Sequence, residues 1–303
     1  MRFKLILLML IVALSLSCGG QGGSKVAFVK GELGKENIYL INSDGKKEKA
    51  LTGHYASDIS PCWSSDDKKL AYSSTRHEEQ SKNYEVYTLE QSRYSTGASH
   101  SFGTRQKRLT HLSPGEVLLS SRCWSPNDNK IIFSSDNTIY IMGADGSKQE
   151  SLASGESQGG SYPIWSPDGE KIVFKSHRDG NSEVYIMNSD GSQHTRLTQN
   201  NVDDHCESWS PNGEKLACVA IEMGRSRIYV INSDGTQQHF LTKEDSETNE
   251  SFPLWSPDGQ RILYTSWDEN LEDSQLLIMD VDGSNRDVFL SESNTRGGAW
   301  SNK

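Results

Sequence analysis

The chain has 303 residues, 34% hydrophobic, 24% charged and 9% aromatic. It is polar for a folded protein, but its aromatic content, with seven Trp, excludes a disordered chain, and its length fits a single all-β domain. A formal net charge of −10 repels phosphate backbones and excludes nucleic acid as an expected partner.

Residues 1–17 read as an export signal. Arg2 and Lys4 supply a basic start, and residues 5–14 form an apolar run too short to span a bilayer comfortably. Ser15, Leu16 and Ser17 then lead into Cys18. This arrangement resembles the signal of bacterial lipoproteins, in which the Cys becomes the lipidated first residue; Ser15 stands where that family usually has Leu. The resemblance implies membrane attachment through Cys18 at the cell envelope, on the periplasmic face or the cell surface. An ordinary cleaved signal with an incidental Cys, or an uncleaved anchor, is the alternative. Residues 18–24, rich in Gly, form a flexible tether.

From residue 25 onward the chain repeats. The clearest copy spans 161–198: Trp165, then Ser166-Pro167-Asp168-Gly169, the run Ile172-Val173-Phe174, a polar loop, the run Val184-Tyr185-Ile186-Met187, an Asp190-Gly191 turn and a closing Leu197-Thr198. Equivalent Trp residues stand at 63, 124, 209, 255 and 300. A period of 40 to 45 residues with several strands per copy is the signature of a propeller blade. Ser-Pro-Asp-Gly and Asp-Gly are tight-turn sequences, since Pro presets one turn residue and Gly supplies positive φ. Consecutive apolar residues in each run predict a sheet covered on both faces.

The ends of the chain complete each other. Residues 296–301 carry only a first strand, and residues 25–52 carry only the other three. Their union predicts a closed ring of six four-stranded blades: 58–110, 119–153, 160–198, 205–242, 250–291, and the composite of 25–52 with 296–301. One copy departs from the rest, with an insertion over 91–107 rich in Ser, Gly, Arg and His. Such insertions map to surface loops, and can be binding elements or tolerated hairpins.

The strings WSPDGxxIxF, SxRDGNxEVYIMNSDG and RLT resemble the repeats of the TolB-type β-propeller, found also in tricorn-type proteases and prolyl-oligopeptidase relatives. The resemblance covers residues 25–303 and implies an all-β, six-bladed, monomeric propeller. It also implies that residues four to five before each Trp sit at the mouth of a central channel. The copies disagree there, which nominates Asp58, Ser161, Asp204, His205, Glu250 and Arg296 as binding residues. Asp58, Asp204 and Glu250 could form an acidic funnel for a cation or a basic peptide, or the mouth could simply be hydrated.

No G-x-S-x-G, H-E-x-x-H or P-loop string is present, and the eight His show no metal-ligand spacing. No cofactor and no metal are expected. Cys62 and Cys123 precede their Trp in neighbouring copies, but blade spacing near 10 Å argues against a bridge. Cys206 and Cys218 straddle the 210–213 turn and would lie opposite each other; a disulfide is conceivable there, with buried free thiols the leading expectation. The first functional expectation is a non-catalytic, protein-binding propeller of the envelope. A carbohydrate-active propeller resembling oligogalacturonate lyase, working at Asp204 and His205, and a cation- or small-ligand-binding propeller are the alternatives.

Overall fold

Each Trp-led copy folds into one antiparallel sheet. The computed structural model describes residues 25–32, 34–42, 46–53, 55–76, 83–90, 106–111, 117–154, 159–243, 248–267 and 274–290, and the backbone of 295–300. Cys18, the turn at Asp44-Gly45, most of the 91–107 insertion and the Arg296 side chain therefore lie outside the described residues. Blade 1 comprises Asp58–Trp63, Lys69–Ser74, Glu85–Glu90 and Gln106–Arg108. Blade 3 comprises Ser161–Trp165, Lys171–Asp179, Asn181–Asn188 and Thr195–Arg196. Blade 4 runs through Asp203–Trp209, Lys215–Glu222, Arg225–Asn232 and His239–Phe240, and blade 5 through Asn249–Trp255, Arg261–Trp267, Ser274–Asp280 and Asp287–Leu290.

Blade 6 is the composite. The C-terminal strand Thr295–Trp300 pairs antiparallel with Lys25–Lys30, which pairs in turn with Asn37–Asn42 and then Lys49–Ala50. Six blades and closure by the last strand are as the sequence predicts. Blade 2 is the exception. Lys130–Ser135, Thr138–Gly143 and Glu150–Ala153 form a three-stranded sheet, and its first strand is reduced to two bridges, Leu118 with Ser134 and Trp124 with Ile131.

Why consecutive residues are apolar becomes clear from the packing. The buried core divides into six clusters, each shared by two neighbouring blades. Within blade 3, Ile172 and Phe174 face blade 2 while Val173 faces blade 4. Trp165 packs with Ile132 and Ile139 of blade 2, so the anchor Trp is blade-to-blade packing. A sheet with a neighbour on each face has no polar side to alternate with, so the strand period of two is masked.

The turn strings close the blades. The Ser166 hydroxyl accepts the Lys171 amide at 2.9 Å and donates to Asp168. The same pattern recurs from Ser64, Ser125, Ser210 and Ser256. In the Leu-Thr string the Thr198 hydroxyl accepts the Val184 amide at 2.9 Å, and Thr52, Thr110 and Thr242 do the same in their blades. At Asp190-Gly191 the glycine is required twice over. Its φ is +84°, and a Cβ there would come within 2.8 Å of the Leu152 carbonyl of the preceding blade.

Both cysteine pairs are disulfides, which corrects the free-thiol expectation. Cys206 and Cys218 are register partners on adjacent strands. Cys62 and Cys123 are bridged with their Cα atoms 6.1 Å apart. The sheet-to-sheet spacing used against that bridge applies at mid-blade. Near the axis the first strands of neighbouring blades converge, bringing equivalent positions within bridging distance. By loop-closure entropy the 61-residue separation corresponds to about 4 kcal/mol.

Candidate functional site at the central channel

The first strand of each blade lines the axis, and several of these strands are bulged. Their ladders shift register between Ile59 and Cys62, Ser161 and Ile164, and Ser251 and Leu254. The residues at the bulge, Ser60, Tyr162 and Phe252, have φ of 55°, 53° and 57°. Each precedes a proline (Pro61, Pro163, Pro253). Positive φ is unusual for a bulky aromatic residue, and a following Pro restricts the backbone further. Bulges re-aim side chains. Here they leave the Tyr162 and Phe252 side chains half-buried on the inner strands.

Asp58, Asp204 and Glu250, the three acidic residues that could form a funnel, are buried. Asp58 is fully buried and is held by Arg76 Nη2 at 3.1 and 3.0 Å. The Arg76 guanidinium in turn lies over Tyr72 and Tyr87, 5.2 and 4.8 Å from their ring centroids. Glu250 faces Arg286 Nη1 at 3.6 Å, and its pKa is raised by burial, with Thr242 and Arg286 opposing. Asp204 accepts a hydrogen bond from the Asn200 side-chain amide. Burial lifts its pKa to about 6, against hydrogen bonds from Asn200 and Tyr229 and with the Glu183 charge adding to the rise. Ser161 is half-buried, and its backbone pairs with Lys175. Arg296 pairs through its backbone with Val29. Among the described residues no group of three or more His, Cys, Asp or Glu is arranged to hold a metal ion.

His205 belongs to a mixed cluster. Its Nε2 lies 3.3 Å from Glu207 Oε1, and its ring centroid is 6.2 Å from that of Tyr162. Lys175 Nζ sits 5.0 Å from the Tyr162 ring centroid. Burial lowers the Lys175 pKa, while Glu207 and Asp203 oppose the fall. Sequence reasoning missed Lys175 and Glu207. The signal for Glu207 was present two residues before each Trp, where three copies have Pro61, Pro163 and Pro253, one has Gly298, and two carry a charge, Arg122 and Glu207. The Arg of the RLT string is structural. Arg196 Nη2 reaches Glu183 at 2.7 Å and Arg108 Nη2 reaches Glu85 at 2.6 Å, tying fourth strands to third strands.

The Asp204 burial carries a prediction. A carboxyl whose folded pKa is about 6 and unfolded value 3.8 is bound more tightly to its proton in the native state. Its stabilisation is full below pH 3.8 and lost as pH rises through about 6, on the order of 3 kcal/mol in all. Asp204→Asn keeps an acceptor for Asn200 and needs no proton. Its melting temperature relative to wild type should climb between pH 4 and 7 and level off above. A difference that stays flat over that range would remove the buried-carboxyl account.

Residues 98–303 match the TolB beta propeller domain. The chain belongs to this family. A Protein TolB homolog of Chlorobium luteolum is 31% identical over 168 residues, which are 54% of this chain and 34% of the relative. The matched part thus spans about a third of that relative's length. The crystal structure of TolB from Acinetobacter baumannii superposes with a TM-score of 0.74 at 22% identity, covering 93% of this chain and 67% of that one. An oligogalacturonate lyase in complex with manganese superposes more distantly, with a TM-score of 0.54 at 14% identity over 90% of this chain and 74% of the other. Both superpositions are likenesses of fold. Within this TolB-type propeller the most repeated strings, WSPDG and RLT, are consumed by turns, strand ties and blade packing. The residues free to differ are those along the inner strands.

Proposed function

We propose that this TolB-type propeller is a non-catalytic protein-binding module of the cell envelope, exported and held at a membrane through a lipid on Cys18. One observation carries the reading. The end of the propeller where first strands begin presents Tyr55 at blade 1 and Met223 at blade 4, each 99% exposed, with Ile221 on the same blade 4 hairpin as Met223. Met223 is at the tip of the hairpin joining Lys215–Glu222 to Arg225–Asn232, and Tyr55 precedes the first strand of blade 1. Exposed aromatic and methionine side chains are what a protein interface recruits, and they serve no purpose in the core. The other large exposed apolar residues among those described, Phe240 and Val288, are on outer fourth strands.

The test is a photo-crosslinking amino acid placed at position 223 in intact cells, with an equivalent at exposed Lys148 on another blade as control. A discrete adduct from 223 that Tyr55→Asp abolishes, while the melting temperature holds, is the expected result. Adducts no different from the control would defeat the reading. A second reading, an oligosaccharide-cleaving propeller, has support in the Lys175, His205 and Glu207 cluster. Replacing Asp204 and His205 together would abolish turnover of an oligosaccharide if that reading held. Likewise, calcium should raise the melting temperature if the channel takes up cations.

A further inference from the structure

The end of the propeller opposite Tyr55 and Met223 holds an arginine that the fold places beside the axis with no carboxylate partner among the described residues. Between its two bridges the inner segment of blade 2 leaves the sheet and turns at Ser121 and Arg122. Three contacts fix that turn. The Ser121 hydroxyl donates to the Glu207 carbonyl of blade 4. The Arg122 carbonyl accepts the Trp165 amide at 3.2 Å. The next residue, Cys123, is bridged to Cys62.

Arg122 thereby lines a cavity of about 270 Å³ whose other walls include Trp63, Trp209, Trp255, Pro211 and Pro257, contributed by three further blades. Four half-buried arginines, Arg76, Arg108, Arg196 and Arg227, each face a carboxylate, and Arg178 bonds Ser176, His194 and the Gly159 carbonyl instead. Among the described residues Arg122 has no carboxylate partner, and Glu207, the equivalent position in blade 4, lies 3.3 Å from His205 Nε2. Burial alone draws the Arg122 pKa down, to about 10, so it remains charged. Arg122 is half-buried; a guanidinium partly withdrawn from water without an anion is disfavoured, and its planar fork fits a carboxylate through two parallel hydrogen bonds. Indole and pyrrolidine walls suit an apolar body behind that charge.

We propose that this cavity binds a small organic carboxylate, with Arg122 as the anion-reading group. The carboxylate has two sources, a free acid or the terminus of a peptide chain. Phenylacetate and N-acetylphenylalanine probe these in turn, with phenylacetamide as the neutral control. Titrated into the wild-type protein to about 10 mM, where a site with Kd near 1 mM is filled, either acid should shift the indole N–H resonances of Trp63, Trp209 and Trp255. That of Trp267, at the far end of blade 5, should stay in place. Phenylacetate alone marks a free-acid site, and a stronger response to N-acetylphenylalanine marks a chain terminus. Arg122→Gln should weaken binding by about tenfold or more, and Arg122→Lys by less, because the charge remains without the fork. Silence from both acids, an equal response to the amide, or unchanged affinity in Arg122→Gln would overturn the assignment. Should Arg122→Gln fail to fold, the resonance pattern of the wild type decides alone.

Discussion

Deleting residues 295–303 should leave a chain that no longer melts cooperatively at the wild-type temperature. The strand removed is the inner strand of blade 6, and among the described residues it supplies the chain's strand pairing between its two ends. Its loss exposes the full edge of Lys25–Lys30 and opens the cluster in which Val26 and Phe28 pack against Leu254, Leu263 and Leu276. A domain is stable by only about 5–15 kcal/mol, and an unpaired apolar strand edge invites association. The expected outcome in circular dichroism and gel filtration is therefore unfolding or aggregation, not a small shift. A circular permutant supplies the control. Trp300 is the register partner of Val26, so a short linker can join the two termini, with new ends at the exposed Met223-Gly224 tip. That permutant should recover most of the wild-type melting temperature. A truncated chain that melts normally would show that the ring does not need its closing strand.

Asp58→Ala should be the most damaging single charge removal among the described residues. Asp58 is fully buried, and its loss strands the Arg76 guanidinium, whose side chain is 11% exposed. Removing one member of a buried pair costs about 3–5 kcal/mol, because the survivor is left desolvated. At this chain length that lowers the melting temperature by roughly 10 °C. Asp58→Ala with Arg76→Ala should be less destabilised than the sum of the two single variants. As a comparison, Glu48→Ala removes the partner of Lys30 in a pair whose side chains are 29% and 26% exposed, and should cost less than about 1 kcal/mol. If Asp58→Ala proved as mild as Glu48→Ala in a denaturant titration, the buried-pair account would fail.

The parts of the fold that were legible in the sequence are those fixed by local chemistry. Ser-Pro-Asp-Gly, Asp-Gly and Leu-Thr each satisfy their own backbone groups within a few residues or one hairpin, so their recurrence counts blades. The complementary ends could be matched for the same reason. What the sequence did not carry is how close the inner strands come. That distance bridges Cys62 to Cys123, and neither residue has a local cue for it. The burial of Asp58 was hidden as well, since Arg76 lies one strand away and looks like one more surface cation in a polar loop. Arg122 was visible as a charge where three other copies have Pro, but its meaning depends on Ser121 of blade 2 reaching Glu207 of blade 4 past the intervening blade.

The strand register of blade 6 also sets a direction. Lys25 pairs with Asn42, and Val26 with Trp300, so the described chain begins at the end where first strands finish, the end that holds the Arg122 cavity. Seven residues, 18–24, reach at most roughly 25 Å when extended. A lipid on Cys18 would therefore turn the cavity end toward the bilayer and hold it close. Tyr55 and Met223 would then point outward into the surrounding compartment, where a soluble partner could approach without meeting lipid. The anchor would act as an orienting device as well as an attachment.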